Sequence, residues 1–258
     1  MSSRAIRLLA LASVLGCLGA DGAAGPALSN RDGRPVLFVG NSLTYYNDLP
    51  LIVEALADSV PGLTPAERLS TAMAAYPDFA LYDHWADGNA VRAIDDKKIS
   101  WDIVVLQQGS SALEDSRVLL REWTKRFDEK ITGAGARTAM YAVWPNAARQ
   151  FDFDRVNESY TLAAADVGGM LFPVGEAWRA AWRRNANMAL YSSDGLHPTI
   201  KGSYVAGLVI TSMLLDKSPV GMPARLRLRN GATISIPDAD AAILQQAAAE
   251  AIEKFGKR

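Results

Sequence analysis

Two histidines, His84 and His197, are all this chain offers as a base that works near neutral pH. His197 closes the run Asp194-Gly195-Leu196-His197 and is followed by Pro198. In a turn, a carboxylate three residues ahead of an imidazole can reach the Nδ1–H of the same loop. There it would orient the ring and support its charged form when a proton arrives. Pro198 suits the first position of a helix, which predicts His197 at the helix N-cap. A helix N-terminus disfavours imidazolium, and a neutral imidazole is what a general base must be. The alternative is an ordinary Asp-Gly surface turn.

A base needs a nucleophile to activate. The stretch VLFVGNSLTYY (36–46) runs from four apolar residues into Gly40, Asn41 and Ser42. Gly40 admits backbone angles that other residues avoid, so the chain can turn sharply and present the Ser42 hydroxyl. That hydroxyl is a weak nucleophile until a base takes its proton. The alternative is a loop that merely ends on a capping residue. His84 is expected to be a satisfied structural histidine rather than a second base.

These residues need a scaffold. Three short apolar runs, 35–40, 101–107 and 137–144, read as buried parallel strands. Residues 69–75 and 169–174 supply a weaker fourth and fifth. Helical patterns lie between them, one from Pro50 to about Val60 and others over 90–96, 116–132, 154–166 and 175–185. This alternation predicts an α/β fold, a three-layer sandwich with a mainly parallel sheet of about five strands. In such sheets ligands bind at the carboxyl ends of the strands, where Ser42 falls. Residues 225–237 alternate about Asn230-Gly231, a hairpin signal, and 238–257 form an alanine-rich helix. The stretch 225–258 is expected to be a peripheral hairpin-helix extension of a single domain over 34–258.

The chain has 258 residues, 49% hydrophobic and 21% charged, which suits one large globular domain. Its net charge of −1 gives no electrostatic case for nucleic acid. Arg4 and Arg7 precede an apolar run from Leu8 to Ala20. That run is shorter than the ~20 residues a spanning helix needs and fits a signal peptide over 1–24. Cys17 is the chain's sole cysteine. It sits either in a lipobox-like Val-Leu-Gly-Cys, where it would carry a lipid anchor, or in a discarded signal. Both readings predict export in a bacterium, to periplasm, medium or a membrane-anchored form.

Taken together, GNSLT at 40–44 and DGLH at 194–197 resemble the SGNH/GDSL hydrolase superfamily. Asn41 stands where many members have aspartate, a position that does no chemistry. The resemblance covers roughly 36–216. It implies a flavodoxin-like fold and ester hydrolysis through an acyl-enzyme, with Ser42 as nucleophile, His197 as base and Asp194 as its support. It implies no metal and no cofactor. The oxyanion hole would come from the N–H groups of Ser42 and Gly88 and from a glutamine amide. The family's usual asparagine is missing from VVLQQGSS, so Gln107 or, alternatively, Gln108 takes that part. A glutamine there is similar to the branch that holds carbohydrate O-acetylesterases.

The favoured substrate is accordingly a short-chain ester, acetyl above all, on a small molecule or glycan. A lipase or lysophospholipase is the alternative among esterases, and a noncatalytic glycan-binding protein the alternative outside them. An α/β-hydrolase would need a G-x-S-x-G elbow, which is missing. Tyr45 and Tyr46 are expected to pack on the first helix, with a sugar-stacking rim as the other reading. Trp144, Asn146 and Arg149 fall on the functional edge without an assigned role. Trp178 and Trp182, four apart, read as a helix face in the core.

Overall fold

Val36, Leu37, Phe38 and Val39 are consecutive and all buried, which requires a strand covered on both faces. In the computed structural model, which describes residues 33–256, they lie in β1 (Arg34–Gly40). The expected signal segment and Cys17 lie outside the described residues. β1 pairs in parallel with β2 (Leu69–Ala75) on one side and β3 (Ile103–Leu106) on the other. β4 (Arg137–Tyr141) and β5 (Met170–Phe172) continue the sheet in parallel, giving the order β2-β1-β3-β4-β5. Every expected strand is present.

Parallel pairing forces crossovers, and helices supply them. A short α1 (Ser42–Tyr45) precedes α2 (Leu49–Asp58), which starts at Pro50 as expected. α3 (Leu81–Asp87) was not foreseen. α4 (Asn89–Asp95), α5 (Glu114–Gly133), α6 (Phe153–Asp166) and α7 (Val174–Arg184) match the helical patterns. α8 (Ile200–Leu215) and α9 (Asp238–Phe255) follow. The helices sort into two groups, α3 to α6 packing together and α2, α7, α8 and α9 packing together, around the sheet. The result is a three-layer α/β fold.

Residues Gly202 to Leu214 of α8 are all buried. A helix apolar on every side must be covered on every side. α2 covers it on one flank and α7 and α9 on another. Gly207 lets α2 approach, since a Cβ there would stand 2.6 Å from Ile52 Cγ2. The C-terminal stretch forms β6 (Arg225–Arg227) and β7 (Thr233–Ser235), an antiparallel hairpin, before α9. It has an inner face of its own: Leu226, Leu228, Ile234 and Ile236 are buried, as are Leu244, Ala247, Ala248 and Ala251. No helix among the described residues is long and apolar enough to cross a membrane.

In this strand order the neighbours of β1 run off in opposite directions. The crevice beyond the carboxyl ends of β1 and β3 is therefore the topological switch point. The loops that follow β1, β2, β3 and β4 meet there.

Candidate active site

The nucleophile loop is held from below. Asn41 caps α1 by accepting a hydrogen bond from the Leu43 N–H at 3.1 Å. Its carboxamide also accepts from Gln107 Nε2 at 2.9 Å and donates to the Phe79 carbonyl at 3.1 Å. Gln107 Oε1 in turn accepts from the Asn41 N–H at 2.9 Å and from the Thr44 hydroxyl at 2.7 Å. Its second amide hydrogen goes to the Gln108 carbonyl at 2.5 Å. Asn41 thus does structural work that the sequence reading did not assign to it. Gly40 also has a different reason from the one expected. Its φ is not in the left-handed region. A Cβ there would overlap Thr44 Oγ1 and Gln107 Oε1, so glycine is required by space.

Ser42 is the first residue of α1, and its side chain meets His197. The Ser42 hydroxyl lies 2.9 Å from His197 Nε2, and His197 Nδ1 lies 2.6 Å from Asp194 Oδ2. The tautomer that fits carries its proton on Nδ1, donates it to Asp194, and leaves Nε2 to accept from Ser42. Asp194 Oδ1 accepts from the Leu196 N–H at 2.8 Å, the His197 N–H at 2.9 Å and the Ser192 hydroxyl at 2.8 Å. Bonding to His197 and to these two backbone groups holds its carboxyl far below the usual carboxylate range. Asp194 is therefore ionised at neutral pH.

His197 does not cap α8. Thr199 is the N-cap, its hydroxyl accepting from the Gly202 N–H at 3.3 Å. A threonine hydroxyl can close a helix start, whereas an imidazole engaged at both nitrogens cannot. Pro198 instead forms an isolated antiparallel bridge with Tyr191. The Ser192 N–H donates to the His197 carbonyl and the Thr199 N–H to the Leu190 carbonyl, each at 2.8 Å. Residues 190–199 are thereby a closed loop that carries acid and base together. Trp144 fastens it to the end of β4 by donating to the Leu196 carbonyl at 2.9 Å. Trp144 stacks on Trp178 with ring centroids 3.7 Å apart.

A cleft of about 620 Å³ opens over Ser42. Its floor and walls include Asp78, Phe79, Gln108, Ser111, Trp144, Asn146 and Arg149, with an apolar flank of Tyr82, Leu113, Leu119 and Trp123. Gly88 is not among its residues. Gly88 terminates α3 with φ 81°, and its N–H is spent on the His84 carbonyl at 3.1 Å. The loop that does reach the cleft after β2 is 76–80, where Asp78 takes the left-handed conformation (φ 59°). Gln107 is committed beneath the nucleophile and does not line the cleft. Gln108 does line it. Its Oε1 accepts from the Leu81 N–H at 3.2 Å, and its Nε2 donates to the Ser111 hydroxyl at 2.8 Å.

Tyr46 stacks on the His197 ring, centroids 4.2 Å apart and planes 15° apart. The sequence reading had set it against the first helix. His84 is buried, with Nε2 donating to the Gly40 carbonyl at 2.7 Å. Burial holds it below its ordinary value and so neutral, a brace under β1 rather than a base at the cleft. Trp178 is buried and Trp182 packs against the core edge-on to it, as expected. A second depression of about 540 Å³, lined by residues of α6, α7 and α9, contains none of the three chemical residues.

No family model matches the chain, and no curated protein does. Solved structures do match. A DUF4886 family protein from Bacteroides uniformis aligns with a TM-score of 0.69 at 20% identity, covering 86% of this chain and 96% of that one. A candidate SGNH hydrolase from Slackia heliotrinireducens aligns at 0.57 and 27% identity, covering 70% and 98%. A catalytic mutant of an acetylxylan esterase from Geobacillus stearothermophilus aligns at 0.52 and 11%, covering 72% and 97%. The fold that these structures share is that of the SGNH hydrolases. This chain has their fold, with the expected five-stranded parallel sheet and a C-terminal hairpin and helix added.

Proposed function

We propose that the protein is a serine esterase that works through Ser42, His197 and Asp194. The observation that carries this is the unbroken hydrogen-bonded chain from Asp194 through His197 to Ser42, with legs of 2.6 and 2.9 Å, opening into a cleft. As His197 Nε2 takes its proton, Ser42 Oγ bonds to the ester carbonyl carbon and the carbonyl π electrons move to oxygen. In this reading that oxyanion takes hydrogen bonds from the Ser42 N–H and from the second hydrogen of the Gln108 amide. Collapse breaks the ester C–O bond, and the alcohol leaves with the proton from Nε2. Water then attacks the acyl-enzyme, Nε2 taking its proton. That proton returns to Ser42 as the acid departs.

Within this reading the ester is a short-chain one, acetyl above all, on a carbohydrate. The likeness to an acetylxylan esterase supports this, as does a cleft that mixes Trp144 and Tyr82 with Asn146 and Arg149. One observation favours a lipase-type alternative: Tyr82, Leu113 and Leu119 remain exposed along one flank of the cleft. The segment Leu8–Ala20 supports export of the enzyme.

The test uses p-nitrophenyl acetate and a fluorophosphonate probe. Ser42→Ala should lose turnover by about 1,000-fold or more and take no label. Activity or labelling that survives in that variant would sink the esterase reading. A panel of p-nitrophenyl esters then sets the substrate, and a preference beyond about eight carbons would replace acetyl with a fatty acyl group.

A further inference from the structure

An imidazole hydrogen-bonds along directions in the plane of its ring, and both nitrogens of His197 are engaged, with Asp194 and with Ser42. These bonds fix where the two nitrogens sit, but the ring can still tilt about the line that joins them. They are also open to competition from water, because the Asp194 side chain is 46% exposed and that of His197 22%. Something must hold the face of the ring. Tyr46 lies flat on it, at 4.2 Å and 15°.

Tyr46 is itself held to the histidine's own loop. The next two residues, Asn47 (φ 55°) and Asp48 (φ 55°), both take the left-handed conformation, which asparagine and aspartate tolerate better than other non-glycine residues and which turns their side chains to partners. Asn47 Nδ2 donates to the carbonyl of Pro198, the residue after His197, at 3.1 Å. It also donates to the Ser203 hydroxyl in α8 at 2.9 Å. Asp48 Oδ2 accepts from Asn230 Nδ2 of the C-terminal hairpin at 3.0 Å. Tyr46 and His197 are thus tied to each other both through their rings and through the segments that carry them.

We infer that Tyr46 is a positioning residue that holds the His197 ring in the plane it needs for proton transfer, given the esterase reading above. Its aromatic face, negative by its quadrupole, also lies where the imidazolium forms, so the contact strengthens as the proton arrives. The phenol hydroxyl has no part in this, so phenylalanine should serve as well.

The test compares Tyr46→Phe with Tyr46→Leu. Tyr46 is 36% exposed, so neither change should unfold the protein. The phenylalanine variant should keep kcat within about twofold. The leucine variant should lose about tenfold or more in kcat while KM stays within about twofold, the signature of an interaction made in the chemical step. Wild-type kcat in the leucine variant, or an equal loss in both variants, would overturn the inference. A second readout needs no turnover. In NMR spectra of a Ser42→Ala background, the His197 ring protons should show an upfield ring-current shift that Tyr46→Phe keeps and Tyr46→Leu abolishes. Absence of that shift would overturn the stack even if the esterase reading stands. A normal shift in a protein that hydrolyses no ester would instead count against the esterase reading alone.

Discussion

Gln107 and Gln108 are adjacent and chemically identical, yet one is spent beneath Asn41 and the other lines the cleft. Gln107 is buried with its carboxamide spent on Asn41, Thr44 and the Gln108 carbonyl. Gln107→Leu strips partners from the Asn41 N–H and the Thr44 hydroxyl, at about 1–3 kcal/mol for each buried group orphaned. A loss of about 2 kcal/mol would lower Tm by about 4–8 °C in a domain of this size, measurable by calorimetry. Gln108→Glu keeps an acceptor for the Leu81 N–H and removes the amide donor. It should cost about 100-fold in kcat on p-nitrophenyl acetate. Equal kcat would remove Gln108 from the oxyanion hole. That Ser42, Asp194 and His197 come together was legible because each sits in a short local motif. The glutamine choice was not, because strand periodicity cannot say which face a residue takes once the strand has ended: β3 stops at Leu106. Gly88 misled because the left-handed turn by the cleft is made by Asp78. Aspartate is one of the few non-glycine types that tolerates that conformation, and this was the signal available.

The strands were read well because apolar runs of four to seven residues are the signature of a sheet covered on both faces. α3 escaped because its start has no capping side chain. Ala80 precedes it, and the cap comes backwards, from Asp83 to the Ala80 N–H at 2.8 Å. α3 carries His84 beneath the end of β1, and this element has a consequence for acid stability. Burial keeps the imidazole neutral in the folded protein, and its Nδ1 finds no partner among the described residues. In the unfolded chain the same ring takes up a proton at about pH 6.5. Below that pH the unfolded state binds a proton that the folded state refuses, so acidification from pH 7.5 to 5.5 should lower Tm. Above it His84 makes no difference. His84→Gln, which can still donate to the Gly40 carbonyl, should show a smaller drop over the same interval. An equal drop would show that other groups set the acid response.

At the scale of the whole molecule, the hairpin and α9 were legible as elements but not as load. Nothing in an alternating stretch with an Asn-Gly turn says what its inner face will meet. In the structure it meets α2. Arg229 donates to the buried Glu54 of α2 at 3.0 Å, and Glu54 accepts from the Thr71 N–H of β2 at 2.6 Å. Arg229→Ala should cost about 1–2 kcal/mol by urea denaturation, since Arg229 is itself partly exposed and only the carboxylate is buried. Truncation after Pro237 should do far more. It uncovers α7 and α8, so the product should bind a hydrophobic dye and aggregate, and a soluble, active truncation would contradict this. The cover on α8 also sets an order in time. A ribosome delivers Ser42 early and Asp194 and His197 late, and α9 later still. The loop that joins Asp194 to His197 can close by itself as soon as it emerges, but α8, the helix behind it, is not covered on every side until α9 arrives. During synthesis, then, the nascent chain would hold Ser42 and the loop of Asp194 and His197 complete but not yet fixed to each other. Hydrolytic competence should switch on with the helix farthest in sequence from the serine.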